Sequence, residues 1–305
     1  MTPPPPPIRR WDAVANPRAL VHVVHGMSEH AGRYARFAAA LNDAGFVVWA
    51  HDHRGHGDNP TPPVGHGHFA DVDGWRAVVD DARAVSSALQ SAYQGLPLLL
   101  FAHSMGSFVG QTVIGEHGAA YAGVVLSGSN GPPRAMERMV RALARSQLLA
   151  LGGRAPGRWV ERLVMGTYNR PFAPNRTPFD WLSRDVAEVD LYANDPLCGF
   201  TFSAQAWFDF LDGKRTLGDD WHVQRIPKAL PIHLIGGTRD PVGEYGDGVT
   251  RLHDVYRKAG LTNATMRLYD DARHELLNET NRDAVTADVV AWLNGVVSGA
   301  APRRA

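Results

Sequence analysis

Three residues suited to acyl transfer stand at turn-like positions along the chain: Ser104, Asp240 and His274. Ser104 follows the apolar run Leu98-Leu99-Leu100-Phe101-Ala102-His103 and precedes Met105-Gly106 and a helical pattern. A strand, a sharp turn and a helix make the elbow that lifts a nucleophilic hydroxyl above a sheet. Small residues must flank so tight a turn; Gly106 follows the serine and Ala102 precedes it. The helix then aims its N-terminal amides at the place where negative charge would develop. The plain alternative is that Ser104 only caps that helix. Asp240, in Gly236-Gly237-Thr238-Arg239-Asp240-Pro241, lies just past a strand, at the edge where open α/β sheets carry their sites. Its plain alternative is an Asp-Pro turn. His274 lies on the loop between the last strand and the last helix. A carboxylate that orients a histidine lets it take the serine proton and return it to a leaving group. The order serine, acid, histidine matches one established arrangement of such residues. Asp270 and Asp271 are rival acids, disfavoured because they stand so near His274 on a strand end.

Two histidine-rich loops flank these residues. In His25-Gly26-Met27-Ser28-Glu29-His30, after the first strand, Gly26 lets the backbone approach a substrate carbonyl. The backbone N–H groups of Met27 and Met105 are the expected oxyanion donors. The second loop, His51-Asp52-His53-Arg54-Gly55-His56-Gly57, approaches the spacing of di-metal hydrolases. It has Gly55 where such a site needs an acid, so a hydrogen-bonded structural loop is expected and no metal. The same holds for His66 and His68. Cys198 is the only cysteine; one thiol forms no internal disulfide, and its sequence context carries no nucleophile signature.

The elements that must position these groups alternate along the chain. Strands are predicted over 19–24, 46–50, 96–102, 123–127, 230–235 and 265–269. Helices are predicted over 33–44, 74–93, 104–117, 246–258 and 276–297. Several strands are apolar throughout, as suits a sheet covered on both faces. The result is an α/β class with a doubly wound, mostly parallel sheet. From 131 to 222 no strand appears. Helix-like pieces at 135–151, 157–165, 179–186 and 201–211 read as a helical cap inserted into a core of residues 16–130 and 223–297. Met136, Met139, Val140 and Leu143 recur at helical spacing there. Such a stripe is ordinarily packed inside the cap. The sharper expectation is that part of it lines an acyl tunnel or faces a lipid aggregate, where methionine adapts to flexible chains.

Composition bounds the rest. Lys+Arg and Asp+Glu each total 31 in 305 residues, and this balance favours neither nucleic acid nor an anionic surface. Pro3 to Pro7 predict a disordered tail over residues 1–15, and 298–305 a flexible one. No secretory leader or membrane span is read, which points to the cytoplasm.

Taken together, the chain resembles the monoglyceride lipase and lysophospholipase group of α/β-hydrolases. The resemblance rests on His25-Gly26-Met27-Ser28-Glu29-His30-Ala31-Gly32-Arg33-Tyr34, Asp52-His53-Arg54-Gly55-His56-Gly57, His103-Ser104-Met105-Gly106, Gly237-Thr238-Arg239-Asp240 and His274-Glu275. In the cap, Phe179-Asp180-Trp181-Leu182-Ser183-Arg184-Asp185 is similar to bacterial members. Ala102 and Ser107 stand where the family usually has glycine. The resemblance implies the α/β-hydrolase fold, no cofactor and single-chain lipid esters such as monoacylglycerols or lysophospholipids as substrates. Small-ester hydrolysis, amide or carbon–carbon cleavage, peroxide addition and a catalytically silent binding protein remain the alternatives.

Overall fold

The structure, a computed structural model, describes residues 5–299. Its elements run β1 (Ile8–Trp11), β2 (Ala19–Val24), α1 (Ala35–Asp43), β3 (Phe46–His51), α2 (Gly74–Ala92), β4 (Leu98–His103), α3 (Met105–His117) and β5 (Gly123–Ser127). Five helices follow: α4 (Ala135–Leu151), α5 (Arg158–Tyr168), α6 (Val186–Asn194), α7 (Ala204–Gly213) and α8 (Asp220–Val223). The chain then returns to β6 (Ile232–Gly237), α9 (Asp247–Lys258), β7 (Ala264–Tyr269) and α10 (Arg282–Val297).

The strands form one seven-stranded sheet in the order β1-β3-β2-β4-β5-β6-β7, parallel except for β1. Every residue of β2 to β6 is buried, because helices cover both faces. On one face Phe37 and Leu41 of α1 join Val285, Val289 and Trp292 of α10. On the other, Val78 and Val85 of α2, Val109 and Val113 of α3, and Leu252 of α9 close a larger core. β2 leads to β3 on one side and adjoins β4 on the other. The order of strands therefore reverses between β2 and β4, and the crevice at their C-terminal ends is where such sheets place ligands.

Three expectations are corrected. Residues 1–15 are not a disordered tail throughout: Ile8–Trp11 pair antiparallel with Val48–His51 and add an edge strand. The first four residues and 300–305, most of the expected C-terminal tail, lie outside the described residues. Residues 179–185 form turns, and the helix begins only at Val186. There the Asp180 carboxylate accepts from the Arg176 and Thr177 N–H groups, a local bonding pattern that competes with a helix. The last helix is interrupted after a 3-10 turn at Leu276–Asn278. The cause is Glu279, fully buried, whose carboxylate accepts from the N–H groups of Arg184, Arg273 and Thr280.

Candidate active site

β4 delivers the Ser104 turn to the crevice. Ser104 adopts φ 51° and ψ −122°, a costly conformation for a residue with a side chain, of the kind found where surrounding structure holds it for function. Its N–H donates to Ser127 O at 2.9 Å, and its side chain caps nothing in α3. The turn closes against β2: a Cβ on Gly106 would stand 2.3 Å from Val24 O and 2.4 Å from His25 O. The departures from glycine are absorbed. Ala102 is accommodated because Gly110 of α3 faces it, a Cβ there falling 3.1 Å from the Ala102 Cβ. Ser107 Oγ donates to Ser104 O at 2.6 Å and accepts from the Ser129 hydroxyl at 2.8 Å, which pins the turn from within α3.

The structure brings Ser104, His274 and Asp240 into line. His274 Nε2 lies 2.8 Å from Ser104 Oγ, and His274 Nδ1 lies 2.9 Å from Asp240 Oδ1. An ionised carboxylate only accepts, so Nδ1 carries the proton and Nε2 is free to accept from the hydroxyl. Asp240 is fully buried, and its Oδ1 also accepts from the Val242 N–H, which fixes its position. Burial on its own would lower the His274 pKa. The charge and hydrogen bond of Asp240 outweigh it, and the pKa is raised above 6.5. His103 packs against His274 with ring centroids 4.8 Å apart. Burial, with the neighbouring His274, pushes His103 down to about 4, so it stays neutral. The rival acids are engaged elsewhere: Asp270 accepts from Thr238 Oγ1 and Asp271 pairs with Arg184.

The loop after β2 lies against the serine, since a Cβ on Gly26 would fall 3.1 Å from Ser104 Cβ. Of its successive amides, Gly26 N–H donates to Glu29 Oε1 at 2.5 Å and Ser28 N–H to His56 Nε2 at 3.2 Å. Among the described residues, no protein acceptor takes the N–H of Met27 or of Met105.

Sequence reasoning missed the groups that brace this arrangement. Trp181 packs on His274 at 5.1 Å between ring centroids. Arg33 is partly buried and donates to both carboxylate oxygens of Glu275 and to Glu29, tying the β2 loop to the histidine loop. Arg33 also stacks over Tyr192, whose hydroxyl donates to Ser28 O. The motif Glu29-His30-Ala31-Gly32-Arg33 was the only available signal, since the partners lie far apart in sequence.

The four residues expected to line an acyl tunnel or face lipid divide by exposure. Val140 is buried and Leu143 partly so, whereas Met136 and Met139 stand 63% and 67% exposed, so the four do not share one surface. Cys198 is half-buried and burial pushes its thiol pKa up, which leaves it a poor nucleophile. With His30 and Asp195 it makes three potential ligands whose donor atoms lie within 4.8 Å of one another. The fit to a metal is poor: His30 Nδ1 accepts from Gly32 N–H, so the proton sits on Nε2, which donates to Asp195. In the His51–His56 loop both ring nitrogens of His56 and Nε2 of His53 are engaged by backbone groups, while His51 Nε2 and His53 Nδ1 have no hydrogen-bond partner among the described residues.

The sequence profile of the Hydrolase_4 family (Serine aminopeptidase, S33) matches residues 15–281. The chain is similar to the human monoglyceride lipase, 29% identical and covering 94% of this chain and 86% of that one. It is similar to the monoacylglycerol lipase of Mycolicibacterium smegmatis, 28% identical over 93% of this chain and 90% of that one. Among solved structures, a thermostable carboxyl esterase from Bacillus coagulans in complex with glycerol superposes with a TM-score of 0.87. It is 30% identical and covers 95% of this chain and 94% of that one. These likenesses agree with the motifs and the sheet: the chain is a hydrolase of the α/β-hydrolase fold and belongs to the Hydrolase_4 family (Serine aminopeptidase, S33).

Proposed function

We propose that the chain hydrolyses carboxylic esters through an acyl-enzyme on Ser104, with single-chain lipid esters such as monoacylglycerols as the substrate class. The observation that carries the reading is the unbroken chain from Ser104 Oγ to His274 at 2.8 Å and from His274 to Asp240 at 2.9 Å, on a strained elbow. His274 Nε2 takes the hydroxyl proton as Oγ bonds to the ester carbon. The carbonyl oxygen gains the negative charge and accepts hydrogen bonds from the Met27 and Met105 N–H groups. One such donor is worth ~3 kcal/mol of barrier. The C–O bond to the alcohol then breaks, and His274 returns the proton to the departing oxygen. Water enters by the same route: His274 takes its proton, the hydroxide attacks the acyl carbon, and Ser104 leaves reprotonated. Asp240 keeps the imidazole in the productive tautomer and stabilises its charged form.

Residues 131–222 act in this reading as a cap over the nucleophile. Its support is their insertion between β5 and β6 and the packing of Trp181 on His274. Lipid as substrate is supported by the relatives named above. It is further supported by exposed apolar side chains on α4 and α5, Met136, Met139, Leu149, Trp159 and Leu163, which would meet a lipid aggregate. Among the described residues no helix is long and apolar enough to cross a membrane, so contact would be peripheral.

Labelling with a fluorophosphonate tests the nucleophile. Ser104→Ala should abolish labelling and lower ester turnover by a factor of about 10⁶ while the protein stays folded. Wild-type labelling of the folded variant would place the nucleophile elsewhere.

A further inference from the structure

The mechanism leaves unused a cluster of buried histidines beneath the β2 loop. His25, His53 and His56 are each fully buried, and their backbone partners fix which nitrogen carries the proton. A backbone N–H can only donate and a carbonyl can only accept. His25 Nε2 accepts from the His53 N–H at 3.1 Å, so its proton is on Nδ1, which donates to Gly26 O at 2.8 Å. His53 Nε2 donates to His25 O at 3.1 Å. His56 Nε2 accepts from the Ser28 N–H, and its Nδ1 donates to Arg54 O at 3.0 Å.

Gly26 O and Met27 N–H belong to one peptide group, and in a planar trans peptide they point in opposite directions. A histidine that holds the carbonyl therefore aims the N–H. The flanking amides, of Gly26 and Ser28, are occupied by Glu29 and His56, so Met27 N–H is the one left to face a substrate. We infer that His25 is a positioning residue that orients the Gly26–Met27 peptide toward the developing oxyanion, with His53 and His56 holding it and the loop in register. The inference rests on the serine-esterase reading of the same site.

The clamp works only with neutral rings. A proton on His25 Nε2 would face the His53 N–H, and one on His56 Nε2 would face the Ser28 N–H. Burial pushes His25 down to about 3 and holds His53 and His56 well below 6.5, so these clashes do not arise near neutral pH. The contribution to rate follows from the transition state. Removing an oxyanion donor costs about 10²–10³ in kcat, and a donor merely misaimed costs part of that.

The test compares wild type, His25→Phe, His25→Asn and His56→Phe. His56 already sits among Phe69, Phe200 and Phe202, with ring centroids 6.1, 5.1 and 5.4 Å away, so His56→Phe keeps the packing and removes the acceptor. Asn at 25 retains an N–H near the place of Nδ1. For each protein, kcat and KM are measured on a soluble 4-nitrophenyl ester, per active site titrated with fluorophosphonate. Inhibition by an aryl trifluoromethyl ketone, whose serine adduct carries an oxyanion, is measured alongside. We expect His25→Phe to lose roughly 10–100-fold in kcat and a similar factor in ketone affinity, with KM within about twofold. His25→Asn should recover much of both, and His56→Phe should show a smaller parallel loss. Should His25→Phe not fold, His25→Asn and His56→Phe decide. Unchanged kcat and ketone affinity in His56→Phe would overturn the clamp, as would a His25→Asn no better than His25→Phe. Wild-type turnover that survives Ser104→Ala would instead overturn the esterase reading itself.

Discussion

In the proposed mechanism His274 must be neutral to accept the Ser104 proton, so its pKa sets the acid limb of activity. That pKa is raised because Asp240 outweighs burial. Below it, kcat/KM should fall tenfold per pH unit, and the limb should lie above the ordinary histidine value of ~6.5. Asp240→Asn removes the opposing term. Its rate should drop by about 10⁴, and its residual acid limb should move to lower pH, since burial then dominates. pH–rate profiles of the two proteins check this; a variant with near-normal rate and an unmoved limb would show that another acid serves His274. At this scale the sequence was informative where chemistry is local. Ser104 and His274 announce themselves by their turns, and the strand before Asp240 sets it on the crevice edge. It was silent where a contact spans the chain. Arg33 and Glu275 are 242 residues apart, and nothing near either one names the other.

Helices and strands were legible in proportion to how much of their structure is decided by their own residues. The all-apolar strands and the long amphipathic helices follow from burial pattern alone. β1 does not, because four residues behind a proline run become a strand only when β3 offers its edge. The turns at 179–185 and the break at Glu279 likewise depend on carboxylates that collect backbone N–H groups. On α4 the buried side packs on α7, while Met136, Met139 and Leu149 are exposed. Arg138 and Arg145 of α4 and Arg158 and Arg162 of α5 are also exposed, a composition suited to a lipid–water boundary. Met139→Asp should therefore weaken sedimentation with phospholipid vesicles at least severalfold. It should lower kcat/KM on long-chain esters presented in vesicles and leave a soluble short ester untouched. Wild type should gain kcat/KM over several added acyl carbons at up to ~0.8 kcal/mol per methylene and then level off. A preference for acetyl esters that Met139→Asp does not alter would leave a small-ester hydrolase.

Over the whole molecule, the buried histidines carry a consequence for stability. His22, His25, His51, His53 and His56 all lie in or beside the β2 and β3 ends, and burial lowers each pKa, to about 3 for His22 and His25. In the unfolded chain each returns to ~6.5. Below that pH the unfolded state binds protons that the folded state refuses, so stability falls as pH falls. His274 works in the opposite sense, because its folded pKa is raised; its contribution is fully present below ~6.5 and is lost as pH rises through the folded value. It offsets none of the slope once both states hold its proton. Each refused proton costs ~1.4 kcal/mol per pH unit, and several acting together consume a typical 5–15 kcal/mol within about two units. The protein should therefore lose its fold cooperatively between about pH 6 and 4, ahead of general carboxylate protonation. Urea unfolding free energies measured at half-unit steps from pH 7 give the proton uptake directly as a slope. An uptake of three or more protons near pH 5.5 is expected. An uptake below one would mean that the histidines beneath the β2 loop are already charged in the folded state, which would remove the neutral ring on which the orientation of the Met27 amide depends.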